Sequence, residues 1–135
     1  DTTGLLLLTD NGQLGYDLLQ PESKVTKTYR VIVNEAVTME DVKAFKAGIV
    51  FHGGVRCQPA RLSIVSSASR FSEVLLTIKE GKFHQVKKMF LACGKKVIGL
   101  TRVSMGPLVL PEDLAEGEYR ALTIAELQQL KTYFR

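Results

Sequence analysis

Three stretches carry side chains whose types and spacing could do chemistry. In EGKFHQVKKMF, residues 80–90, the side chains of Lys82, His84, Lys87 and Lys88 crowd the start of a segment with helical period. His84 stands three and four residues before Lys87 and Lys88, which on a helix gives one shared face. A helix start adds unpaired backbone N–H groups and the positive end of the macrodipole. Such a constellation suits a phosphate or keeps a carboxylate ionised. A solvated basic face on an amphipathic helix accounts for the same spacing. In KTYRV, residues 27–31, Tyr29 lies between Lys27 and Arg30, an arrangement in which a ring stacks on a base while cations meet phosphates. The plain alternative is a strand tyrosine, half buried and tethered by its hydroxyl. DTTG, residues 1–4, sets a carboxylate beside two hydroxyls and a glycine, as a tight functional turn or as a loop entering a strand.

The elements that must position these residues are legible from periodicity. The apolar run at residues 5–8 reads as a buried strand, and turn residues at 9–12 precede a short helix carrying Leu14, Leu18 and Leu19, stopped by Pro21. Residues 27–33 alternate, with Tyr29, Val31 and Val33 on one face and Thr28, Arg30 and Ile32 on the other. Thr38 to Asp41 form a capping-box pattern before Val42, Phe45 and Ile49 at helical spacing. His52, Gly53, Gly54 and Val55 are turn material. Strands are predicted over 60–65 and 72–78, the second ended by Gly81. A helix follows over 82–93, with Phe83, Val86, Phe90 and Cys93 on one face and His84, Lys87, Lys88 and Leu91 opposite; Gly94 stops it. A strand over 96–103, a looped edge segment, a short strand over 118–122 and a last helix opened by the capping box at 123–126 complete the chain. Helices and strands alternate irregularly, with strand–strand neighbours in the middle. That pattern predicts an α+β fold with a mixed, largely antiparallel central sheet and flanking helices, in a single domain.

Composition narrows the class of protein. A chain of 135 residues with 45% hydrophobic and 24% charged residues can bury a core. Its longest strongly apolar run is far short of the roughly 18 to 20 residues that cross a bilayer. The net charge of +4 favours polyanionic partners without specifying them. Cys57 and Cys93 lack metal-ligand spacing, which predicts free thiols in a reducing cytosol and no metal site.

Taken in order, DTTGLLLLTDNGQL, KTYRV, EGKFHQVKKMF and GEYRALT resemble the pseudouridine synthases that modify ribosomal RNA. They look closest to the branch that includes the 16S rRNA uridine isomerase. The resemblance runs over essentially the whole chain and rests on four motifs in the right sequence order. It implies the fold of that family's catalytic domain, truncated at the N-terminus, without the S4-like domain that relatives carry. It also implies isomerisation of a specific uridine to pseudouridine, with no cofactor, in the cytoplasm. The expected partner is ribosomal RNA, 16S rRNA or an assembling small-subunit particle, with no membrane partner; a separate N-terminal piece is a second candidate partner. The family signature Arg-Leu-Asp-x-x-Thr-x-Gly-Leu aligns its Thr and Gly with Thr2 and Gly4. Its catalytic aspartate then falls two positions before Asp1, so Asp1 is not the nucleophile and the 135-residue chain is expected to be inactive alone. The resemblance carries the carboxylate's cation to Lys87, where many relatives have Arg, and the tyrosine that packs on the flipped base to Tyr29. Lys24, Lys27, Arg30, Lys82, His84 and Lys88 are expected on the RNA backbone. Two alternatives remain open: a non-catalytic RNA-binding or ribosome-assembly module, and a large-subunit rRNA pseudouridine synthase.

Overall fold

Alternation builds the sheet, and its interruptions decide which side chains reach the helices. The computed structural model describes residues 3–4, 26–51, 53–79, 84–110, 114 and 123–133. Its elements are β1 (Thr3–Gly4), β2 (Lys27–Val33), α1 (Met39–Ala47), β3 (Arg61–Ser67), β4 (Ser72–Ile78), α2 (Gln85–Ala92), β5 (Val97–Met105), β6 (Leu108–Val109) and α3 (Ile124–Tyr133). The strands form one sheet in the order β1-β5-β2-β4-β3, and β6 pairs with β5. β1 runs parallel to β5, and every other pairing is antiparallel. This is the expected α+β architecture with a mixed, largely antiparallel sheet.

One face of the sheet is the core. Val31 and Val33 of β2, Val74, Leu76 and Ile78 of β4, Leu62 of β3 and Leu100 of β5 are buried there. Phe45 of α1 and Val86, Met89 and Phe90 of α2 close over them, all within one cluster. The Phe45 and Phe90 rings meet with centroids 4.9 Å apart at 48°, a tilted pair that joins the two helices.

Local chemistry fixes α1 firmly. Asp41 Oδ2 accepts the Thr38 N–H at 2.8 Å, the return half of the expected capping box. Glu40 and Asp41 occupy the first turn and Lys46 the last, as the macrodipole favours. Gly48 ends the helix at φ +101°, where a Cβ would meet the Cys57 carbonyl oxygen at 2.8 Å. The helix therefore stops before Ile49, which is buried from the following turn. In front of α1, Ser72 Oγ donates to the Glu35 carbonyl at 2.8 Å and Ser67 Oγ donates to the Val37 carbonyl at 2.9 Å. The second predicted capping box also forms: Thr123 N–H donates to Glu126 Oε1 at 2.8 Å and Glu126 N–H to Thr123 Oγ1 at 3.2 Å.

Some boundaries differ from expectation, and bulges explain the larger shifts. β3 runs to Ser67 because Val65 is an extra residue opposite β4, which leaves it 55% exposed. β5 reaches Met105, two residues past its expected end, and carries two such interruptions, at Ile98 and Val103. β6 forms within the segment expected to be a looped edge. The strand expected at 5–8, the helix of Leu14 to Leu19 and the strand at 118–122 lie outside the described residues.

Candidate active site

α2 is where the sequence placed most of its chemistry, and its start differs from the expected one. The described helix begins at Gln85, and His84 is its N-cap, in the left-handed region at φ 49°, ψ 35°. His84 is the only non-glycine residue with positive φ among the described residues. It therefore precedes the helix and does not share a helical face with Lys87 and Lys88 as expected. Its carbonyl still accepts the Lys88 N–H at 3.1 Å, which starts the ladder. No side-chain hydrogen bond caps this end, and no acidic residue occupies the first turn. Lys87 and Lys88 occupy it instead, where the dipole disfavours cations. Gln85, Val86, Met89 and Phe90 are buried, Lys87 is half buried and Lys88 exposed. Lys88 Nζ lies 5.9 Å from the Phe51 ring centroid, over an aromatic of the neighbouring loop.

Tyr29 sits on the core face of β2, half buried against the cluster to which α2 contributes Val86, Met89 and Phe90. The strand face of Tyr29 and the helix of Lys87 thus share one side of the sheet. Tyr29 pairs with Leu76 on β4 and with Arg102 on β5, and Arg102 pairs onward with Gly4 of β1. A row across the sheet therefore runs from the DTTG motif through Arg102 to Tyr29.

The described residues among the six expected on RNA do not form one surface. Arg30 is exposed on the sheet face opposite Tyr29, since successive strand side chains alternate. Lys27 shares the face of Tyr29 but is only 5% exposed, and its ammonium pKa is pushed down by burial and, second, by the charge of Arg102. Lys27 thus offers little open surface. Lys24 and Lys82 lie outside the described residues.

At the far end of α2, Lys95 Nζ reaches Asp41 Oδ1 at 3.1 Å and Glu35 Oε1 at 3.9 Å. That contact ties the loop after α2 to the start of α1. Burial, and then the charge of Asp41, pushes the Cys93 thiol pKa up, against an opposing pull from Lys95. Cys93 and Cys57 are both free thiols. Among the described residues, no group of three or more His, Cys, Asp or Glu is arranged to hold a metal ion.

Residues 1–92 match the profile of the RNA pseudouridylate synthase family. The chain belongs to that family. It is 46% identical over 131 residues to the ribosomal small subunit pseudouridine synthase A of Vibrio cholerae, covering 96% of this chain and 55% of the relative. It is 45% identical over 130 residues to the RNA pseudouridine synthase YtzG of Bacillus subtilis, covering 96% and 54%. A crystal structure of a pseudouridylate synthase superposes with a TM-score of 0.89 at 44% identity, over 96% of this chain and 55% of that one. The chain thus spans about half the length of the pseudouridylate synthases it matches.

The sequence reading passed over Arg102, Phe51 and the Asp41–Lys95 pair. Arg102 lies in no motif, and only a break in strand alternation marks it. Phe51 offered no signal beyond standing in a turn-rich stretch. Asp41 was recognised as a cap, but its second partner is 54 residues away in sequence and carries no local mark.

Proposed function

We propose that this chain forms the sheet-and-helix part of an enzyme that isomerises one uridine of ribosomal RNA to pseudouridine, with 16S rRNA as substrate in the cytoplasm. The observation that carries the reading is the sharing of one sheet face by Tyr29 and α2, whose first turn holds Lys87. In the reaction the bond from uracil N1 to the ribose is broken, the base turns, and a bond from C5 to the same ribose carbon is made. N1 gains a proton and C5 loses one, so the product is an isomer and no redox partner enters. The reacting carboxylate must be ionised and aimed at the sugar; Lys87 supplies the cation that holds it so. Its single ammonium acts as a point charge where an arginine would offer a planar fork. Tyr29 packs on the base once the uridine has left its stack, and Lys88 joins the RNA backbone from the rim. The relatives named for the small ribosomal subunit support the choice of 16S rRNA.

The loss of the C5 hydrogen gives a direct test. The intact enzyme is incubated with small-subunit rRNA tritiated at C5 of uridine, and released tritium is counted. Release of about one tritium per RNA supports the reading. Release only from large-subunit rRNA keeps the chemistry and changes the substrate. RNA binding with no release from either moves the weight to a non-catalytic RNA-binding module.

A further inference from the structure

Charge is divided unevenly along the chain, and the fold gathers the division into two ends. Residues 42–111 hold twelve Lys and Arg against two Asp and Glu, while the rest of the chain holds six against twelve. Within that span, 42–72 and 81–111 contain no acid at all. Such an asymmetry points to a polyanionic partner.

Strand register sorts these residues in space. At one end of the sheet Val33 pairs with Ser72 and Val97, and Ser67 pairs with Ser72. Glu35 and Asp41 meet Lys95 there, Glu40 opens α1 beside them, and Glu73 pairs with Ile32 and Ser66. Cations and acids balance at that end. At the other end Lys27 pairs with Ile78 and Met105, and Arg61 with Thr77. α1 finishes here, where the Ala60 N–H before β3 donates to the Phe45 carbonyl at 2.9 Å, and α2 starts here after β4. Apart from Glu126 of α3, every described acid lies at the first end. The second end carries Lys46, Arg56, Lys87 and Lys88 on the helix side of the sheet; Arg61 faces the other way, since Leu62 is buried in the core.

The hairpin between α1 and β3 joins these cations into a row. Val50 and Arg56 form a bridge, and the Phe51 N–H donates to the Val55 carbonyl at 2.8 Å. Ile49 and Cys57 are buried as its root. On one side Phe51 packs against the core with Lys88 Nζ over its ring at 5.9 Å. On the other, Arg56 Nη1 donates to the Ala47 and Gly48 carbonyls at 3.5 and 3.3 Å, which holds the guanidinium beside Lys46 in the last turn of α1. Lys46, Arg56 and Lys88 are all exposed. Within the chain these residues cap α1 and cover Phe51. Those tasks do not explain why cations line one end while the described acids gather at the other. A surface of one sign raises the local concentration of a polyanion. Tyr29 and the first turn of α2 lie at the same end, so the row begins at the proposed site.

We propose that Lys88, Arg56 and Lys46 form a phosphate track that carries the RNA strand next to the target uridine from α2, across the hairpin, to the end of α1. Its contacts are with backbone phosphates, which position the strand without reading its bases. This rests on the reading of Tyr29 and α2 as the uridine site.

The test is the salt dependence of Kd for the intact enzyme and an rRNA fragment that extends beyond the target uridine on both sides. Wild type is compared with Lys46→Gln, Arg56→Gln and, as a charge-matched control from the balanced end, Lys96→Gln. Lys46→Gln and Arg56→Gln are each expected to lower the slope of log Kd against log salt by about one and to weaken binding several-fold at low salt. Lys96→Gln keeps the wild-type slope. The same losses are expected with a fragment whose uridines are all replaced by cytidine, because no base is read. Lys46→Gln alters only an exposed side chain, so it decides alone if Arg56→Gln fails to fold. An unchanged slope in Lys46→Gln overturns the proposal, as does an equal loss in Lys96→Gln or a loss confined to the uridine-containing fragment. A wild-type enzyme that binds RNA and releases no C5 hydrogen contradicts the functional reading instead, and the slopes still decide for or against the track.

Discussion

α1 and α2 are helices of similar length on the same face of one sheet, joined through Phe45 and Phe90, and their ends are built on opposite rules. α1 starts on a capping box with acids in its first turn, ends with Lys46, and closes on a glycine that no other residue could replace without a clash. The guanidinium of Arg56 donates to the Gly48 carbonyl at 3.3 Å just past its last turn. α2 starts on a left-handed histidine with no side-chain cap, sets Lys87 and Lys88 against the positive end of its own dipole, and has no basic residue in its last turn. Local rules are commonly broken where a site needs charge or strain, and kept where only stability is at stake. On the proposed reading, α1 is the support and α2 carries the site.

The difference can be broken from the α1 side first. Asp41→Ala removes the cap, worth about 1 kcal/mol, and leaves the mostly buried Lys95 ammonium without its 3.1 Å partner. Losing one partner of a buried pair costs about 3–5 kcal/mol, so urea unfolding should show a loss in that range. The activity of the molecules that remain folded should be unchanged. From the α2 side the signs reverse. Lys87→Met is expected to lower turnover at least about 100-fold, since the reacting carboxylate loses the charge that aims it. Stability should hold or rise by about 0.3–1 kcal/mol, because a cation leaves the helix start. A Lys87→Met protein that unfolds more easily and turns over normally would show that α2 is merely structural.

Two smaller effects sharpen the contrast. Lys27 has a lowered pKa in the folded protein, so between that value and the ordinary 10.5 the unfolded chain binds more protons. Wild-type stability therefore rises with pH across that window. Lys27→Met does not titrate there, so its gain in thermal midpoint should be full at neutral pH and shrink as the pH approaches 10.5. A gain that does not vary with pH would mean that volume, not charge, is responsible. His84→Gly removes the cost of a left-handed residue with a side chain, up to about 1 kcal/mol, and thermal unfolding should show a small rise or no change.

How far the sequence could be read follows the same division. β2 and β4 were predicted to the residue because their apolar positions alternate without a break and one face is buried. α1 and α3 were placed from their capping boxes, which are contacts between near neighbours. Missed features depend on backbone conformation or distant partners. A left-handed residue at His84 shortens α2 without altering the spacing of Val86, Met89 and Phe90. The bulges at Ile98 and Val103 break the alternation of β5 on either side of Leu100 and Arg102, so the strand as a whole shows no single apolar face in its sequence. Lys27 was expected on the RNA backbone, and its burial could not be foreseen because local sequence does not report the neighbours that cover it. Motif order led to the family, while the face of each side chain had to come from the fold.

The central claim is that α2 and the Tyr29 face form the site of an rRNA uridine isomerase. It is tested most directly by mapping pseudouridines in ribosomal RNA from cells whose only copy of the gene carries Lys87→Met, beside wild type, with protein levels matched. The account predicts loss of a single pseudouridine, in the small-subunit RNA, with all other sites intact. An unchanged map would contradict it.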